Sequence, residues 1–310
     1  MVYDEHNPAG TAPARAHANG EHSQNYGTPP PVEPHVDFPA TEQTSGAPRA
    51  PQQPFPSDLS EDLRVPWGWP EVALFTVLVV VGGFVVTYGL AEAAVRIFGV
   101  DPTKVFGPTM STAKSVVLLV GQATVDACAI LYLYLMLLVR TSEPFWQSIG
   151  WRDLHPGAGT IRHSAPQFLA AGAALAVGVS LVGGFLNPKS SLPIEELLKA
   201  RVSVLLFGIL GVLVAPLVEE TIFRGFLYPV IARRTGIAAG VAITGTLFGL
   251  MHAAQLWGGW GQIALLIVVG IVLTWVRAHT GTVAASYLVH LGYNGLQLAG
   301  YLLYVTTRHH

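Results

Sequence analysis

Six side chains in the second half of the chain have the types and spacing to do chemistry. Glu219, Glu220 and Arg224 lie in APLVEETIFRG (215–225), His252 closes FGLMH (248–252), and His290 and Asn294 bracket HLGYN (290–294). All six sit inside apolar surroundings, where a charge costs at least about 2.5 to 3.5 kcal/mol and therefore marks a functional site by default. Glu220 and Arg224 are four apart, so on a helix they share a face and neutralise each other. Glu219 is rotated by about 100° and is left over. His290 and Asn294, also four apart, project together, and Phe248 stands one turn before His252. A glutamate at low dielectric can act as general base on water, and a neutral histidine can hold that water or relay its proton. A second histidine and an amide can donate to the oxyanion of a tetrahedral intermediate. That set describes amide hydrolysis without a covalent intermediate. The same groups are also ligands for a divalent metal such as zinc, with Glu219, His252 and His290 the better three and Asn294 a weak fourth. The sequence leaves both chemistries open.

Such groups need elements to position them, and the composition says what kind. Of 310 residues 51% are hydrophobic and 12% charged, with a formal net charge of -2; soluble domains carry about 25% charged residues. This is a membrane protein, and nothing suggests a nucleic-acid partner or a polybasic lipid patch. A single cysteine, Cys128, excludes an internal disulfide and a cysteine-based zinc site. Residues 1–66 are rich in Pro, Ala, His and Gly and read as a disordered tail without a signal peptide. Its histidines (His6, His17, His22, His35) have no regular spacing. From Trp67 on, apolar runs of spanning length recur near 71–98, 114–139, 165–186, 201–232, 237–254, 261–278 and 282–304. The expected fold is an all-α, polytopic transmembrane bundle of seven helices, or eight if the fourth run divides at Pro216. Three parts follow: the tail 1–66, N-terminal membrane helices 67–164, and a catalytic membrane core 165–310. Tryptophans fall mostly near run ends, where indoles prefer the interface. A slight arginine bias puts the tail on the cytoplasmic side of the cell membrane.

Depth brings the polar residues together. Glu219 lies about 15 residues before the RRTG turn and His252 about 15 after it, roughly 22 Å either way, with Asn294 about 19 Å up the last run. Gly236, Gly240, Gly245 and Gly249 form small-xxx-small pairs that let the fifth helix approach its neighbours and bring His252 to Glu219.

A Glu-Glu-x-x-x-Arg element (Glu219, Glu220, Arg224), Phe-x-x-x-His (Phe248, His252) and His-x-x-x-Asn (His290, Asn294), in that order on late spans, resembles the CaaX protease and bacteriocin-processing (Abi) family. The resemblance covers about 165–304. It implies a glutamate-dependent intramembrane endopeptidase acting on a membrane-anchored protein or peptide. Glu219 would activate water, His252 position it, and His290 with Asn294 form the oxyanion site. Glu220 and Arg224 would be a supporting pair, or engage a substrate carboxylate. Members are commonly labelled metalloproteases, and the metal stays open. No His-Glu-x-x-His, Gly-x-Ser-Gly or Tyr-Asp with Gly-x-Gly-Asp occurs, which excludes the other intramembrane protease types. The rival readings are a non-catalytic scaffold or immunity protein, and a proton-coupled transporter using Glu219 and Asp126, against which the missing internal repeat argues. Glu92 with Arg96 reads as structural, Asp126 in the second span has no obvious partner, and His155, His163 and His279 read as solvated loop residues.

Overall fold

The computed structural model describes residues 60–154, 164–186, 204 and 208–308, all within the compact unit Pro54–His310. The tail histidines, His155, His163 and the 187–200 loop lie outside them. Among the described residues the chain is all-helical, with nine helices after a 3-10 turn at Glu61–Leu63. They are α1 (Trp69–Arg96), α2 (Pro102–Phe106), α3 (Thr112–Arg140), α4 (Phe145–Ser148), α5 (Ala165–Phe185), α6 (208–235), α7 (Ile237–Met251), α8 (Trp260–Thr280) and α9 (Val283–Arg308). Local chemistry sets their starts. Glu71 reaches back to the Gly68 N–H at 2.8 Å, Asp101 accepts from the Thr103 N–H at 2.9 Å, and Ser111 accepts from the Lys114 N–H at 3.1 Å. Each side chain satisfies a helix-end group that has no intrahelical partner.

Over its described residues, every expected apolar run coincides with a helix. Four of them, α1, α3, α5 and α8, are long and apolar enough to cross a membrane. α7 has 15 residues. α9 has 26, but Ser286, His290, Asn294 and Gln297 lower its hydropathy. α6 carries Glu219, Glu220, Arg224, Arg233 and Arg234.

Four expectations change. The chain packs before residue 67: Leu63 and Val65 are buried, Leu63 against Tyr228, Ala232 and Val241. Two aliphatic residues in a polar stretch were too few to stand out by composition. Pro216 does not divide α6. The helix is continuous from 208 to 235 but changes pitch, with π turns at Leu210–Val214 and Thr221–Leu227 around an α segment Ala215–Glu220. A wider turn before the proline accommodates its ring, as a break would. The glycines of α7 serve two neighbours. A methyl group on Gly240 would strike Ala232 of α6, whereas on Gly245 or Gly249 it would strike Ile271 or Ile267 of α8. Gly236 lies outside the helix, at φ +84° in the turn from α6. Finally, Trp67 is no interfacial indole. It is buried, stacks on Phe226 and donates from Nε1 to the Phe226 carbonyl at 2.9 Å.

α5 packs tightly on α9, where Gly172 faces Val289 and Gly292 faces Leu169 with no room for a side chain. α1 packs on α3. Its outer face, including Leu74, Val77, Val81 and Phe84, stays exposed, as lipid contact requires.

Candidate active site

α6 brings the two glutamates to the junction between its α segment, which ends at Glu220, and the π turn that starts at Thr221. π turns are frequent at functional sites because they widen the helix and free backbone groups. Here the surroundings hold the irregular segment in place. Trp67 takes the Phe226 carbonyl, and Trp151 donates from Nε1 to the Thr221 hydroxyl at 3.1 Å, which itself donates to the Leu217 carbonyl. Gly225 has no side chain because the backbone of Ile149 occupies that space.

Glu220 and Arg224 pair at 2.9 Å, both with fully buried side chains. The guanidinium is nearly saturated. Nη2 donates to the Gly270 carbonyl at 2.9 Å, Nε to the Thr274 hydroxyl at 3.2 Å, and its plane lies 4.5 Å from the Phe248 ring centroid. A buried guanidinium is tolerable only when its donors are met in this way; Glu220 Oε2, by contrast, is buried without a hydrogen-bond partner among the described residues. With both side chains enclosed, neither is placed to take a substrate carboxylate. The expectation that this pair occupies a face of its own also changes, because Glu220 Oε1 lies 2.9 Å from His290 Nδ1.

Glu219 is left with two histidines. Its Oε1 stands 3.8 Å from His252 Nε2 and its Oε2 stands 3.8 Å from His290 Nε2. Both separations exceed hydrogen-bond length. The opposite edges of the rings explain why. His252 Nδ1 lies 3.0 Å from the Phe248 carbonyl, an acceptor only, so Nδ1 carries the proton and Nε2 presents a lone pair. His290 Nδ1 faces the Glu220 carboxylate, which fixes the same tautomer in the neutral ring. Each histidine thus presents a lone pair to a different oxygen of Glu219, and a water about 2.8 Å from both members of either 3.8 Å pair would donate to both. Phe248 is the buried floor, 5.0 Å from the His252 ring, 5.6 Å from the His290 ring and edge-on to Phe223. The Glu219 and His252 side chains keep 18% and 17% of their surface, which leaves one open side to the layer.

His252 is not on the face of α7, which ends at Met251; it is the first residue of a turn that runs to Gly258. A helix through 254 would have fixed Nδ1 less simply. Asn294 joins the layer at one remove, donating from Nδ2 to the Gly211 carbonyl at 2.8 Å, in the first π turn of α6. Its second amide hydrogen is uncommitted to that bond. Glu92 and Arg96 pair at 2.6 Å on the exposed surface of α1, away from the layer. Asp126, on α3, accepts from Gln122 at 2.7 Å. His279, in the last turn of α8, is exposed as expected and stacks on Trp275. Thr274, Gly270 and Trp67 were missed by sequence reasoning, and only the polar Thr274 within an apolar run could have signalled its role.

Among the described residues no group of three or more His, Cys, Asp or Glu side chains is arranged to hold a metal ion. The nominated set, Glu219, His252 and His290, stands as two separate 3.8 Å approaches to one carboxylate.

Residues 201–296 match a family model described as Rce1-like, type II CAAX prenyl endopeptidase Rce1-like. The matched stretch contains all six residues of the layer. The similarity indicates an intramembrane peptidase of CAAX-protease type, with a membrane-associated protein as the kind of substrate it acts on. No curated protein and no solved structure matches the chain.

Proposed function

From an Rce1-like segment that contains the whole polar layer, we propose that this chain is a glutamate-dependent intramembrane endopeptidase. The observation that carries the reading is the division of labour between adjacent glutamates. Glu220 is neutralised by Arg224, while Glu219 faces the Nε2 atoms of His252 and His290 at 3.8 Å each.

In the proposed reaction Glu219 takes a proton from a water held between it and His252. The hydroxide adds to the scissile carbonyl, and the developing oxyanion is met by the free hydrogen of the Asn294 amide. With Nδ1–H directed to Glu220, His290 can donate from Nε2 only when that atom also carries a proton. A proton passed from Glu219 to Nε2 would supply it when negative charge appears on the substrate. That proton then returns from His290 through Glu219 to the leaving nitrogen, and the tetrahedral intermediate collapses to acid and amine. Seven spans, with the N-terminal segment on the cytoplasmic side of the cell membrane, complete the proposal.

The test compares Glu219→Gln with wild type. Membranes expressing each are searched for protein termini present only with wild type, and purified protein is checked for a native melting profile and for zinc. Termini generated equally by folded Glu219→Gln would overturn the role of Glu219.

A further inference from the structure

The acidic residue that the layer leaves unexplained is Asp126, in the middle of α3. Two contacts fix its level. Arg140, at the end of α3, donates to the Pro66 carbonyl, and Arg233, near the end of α6, donates to the carbonyls of Val65 and Trp67. The same short strap therefore ties down the C-terminal ends of both helices, which run parallel. Leu133 and Leu137 of α3 share a buried cluster with Phe226 and Val230 of α6. Leu133 lies seven residues after Asp126 and Phe226 seven after Glu219, and α3 also meets α6 along Ala215–Glu220. That places Asp126 near the level of Glu219. The two carboxylates are also within electrostatic reach of one another.

The charge there does not balance. Three carboxylates, Asp126, Glu219 and Glu220, occupy one level, and the arginine among them, Arg224, is enclosed and committed to Glu220, Gly270 and Thr274. No ion pair among the described residues includes Asp126; it accepts from the amide of Gln122, one turn away on the exposed side of α3. A half-buried carboxylate beside another at membrane depth lacks a cation, and intramembrane carboxylates are ordinarily paired. We propose that Asp126 is a specificity-determining residue of the cleft, pairing with a lysine or arginine side chain of the substrate beside the scissile bond. The proposal rests on the peptidase reading above.

A library of single-span peptides with randomised central residues, reconstituted with full-length protein in liposomes, tests it. New termini are read by mass spectrometry. Wild type should enrich lysine and arginine near the cut at least tenfold. Asp126→Asn should abolish the enrichment while neutral peptides are still cut, and Asp126→Lys should shift the preference to aspartate and glutamate. Retention of the same library on Glu219→Gln protein supplies a binding readout independent of cutting; Asp126→Asn added to it should erase a preference for basic peptides. A basic preference that survives Asp126→Asn, or no basic preference in either readout, overturns the proposal. Equal loss on all peptides would make Asp126 structural and also overturns it. Cutting by Glu219→Gln with the basic preference intact would refute the role of Glu219 and leave that of Asp126 standing.

Discussion

Two Glu-Arg pairs with the same four-residue spacing sit in opposite environments. On α1, Glu92 and Arg96 approach to 2.6 Å with the arginine side chain 79% exposed; on α6, Glu220 and Arg224 approach to 2.9 Å with nothing exposed. The shorter contact is the weaker one energetically. Exposed pairs are worth about 0 to 1 kcal/mol because solvent screens them and two long side chains lose freedom. A buried pair is costly to assemble and far costlier to halve, since the remaining partner has no water to turn to. Glu220 and Arg224 are therefore fixed in a way Glu92 and Arg96 are not, and what they fix is the tautomer of His290 and the freedom of Glu219.

The comparison breaks most sharply if Arg224 is removed. Arg224→Met should cost about 3 to 5 kcal/mol by leaving Glu220 buried without a countercharge. Thermal unfolding in detergent should show a much lowered midpoint or no cooperative transition, and the double change with Glu220→Gln should restore part of it. A midpoint unchanged by Arg224→Met would mean that water reaches the pair.

A third pair lies between the extremes. Arg277 is buried on α8, and Asp62, in the turn before α1, pairs with it at 2.8 Å. Burial by itself would raise the Asp62 carboxyl, but a hydrogen bond from Ser60 and the Arg277 charge outweigh it, and the group titrates below the ordinary aspartate value. Its contribution is thus fully present above the unfolded value, about 3.9, and disappears as pH falls through the lower folded value. Asp62→Asn should cost about 1.5 to 3 kcal/mol near neutrality. The gap between variant and wild type should narrow as melting is followed from pH 5 downward. A gap that is constant down to pH 2 would remove the ionic part of the argument.

What could be read from sequence divides along the same line. The pairs at four-residue spacing, the polar residues at equal depth and the apolar runs are local or periodic, and helix geometry translates them directly into neighbours. Glu219 beside His252 and His290 followed from counting residues from shared turns. The bond from His290 to Glu220, seventy residues away, did not, because depth says that two residues are level and not which of two adjacent glutamates a ring will face. The π turns of α6 were illegible for a related reason. They depend on Trp67, Trp151 and the Ile149 backbone reaching α6 from distant parts of the chain. The glycines of α7 announced close packing but not its partner, which turned out to be α8 for two of them.

Thr274 sharpens the buried side of the comparison with a smaller effect. Thr274→Val keeps the shape but leaves the Arg224 Nε–H without its acceptor at 3.2 Å. The cost should be about 1 to 2 kcal/mol, the penalty of an unmet buried donor, measured as a lowered melting midpoint. Thr274→Ser should recover most of it.

The smallest effect closes the comparison from its exposed end. Arg96 donates from Nε to Glu92, which also accepts from Tyr88 at 2.9 Å, one turn earlier on α1. Removing Arg96 leaves that carboxylate a hydroxyl donor and open surroundings, so nothing is stranded. A double-mutant cycle of Arg96→Ala and Glu92→Ala should return a coupling far below that of Glu220 with Arg224, and smaller still at high salt. Coupling comparable to that of Glu220 with Arg224 would show that the α1 pair is enclosed in the membrane by something beyond this chain, and the contrast between the two regions would then reflect the partner and not the fold.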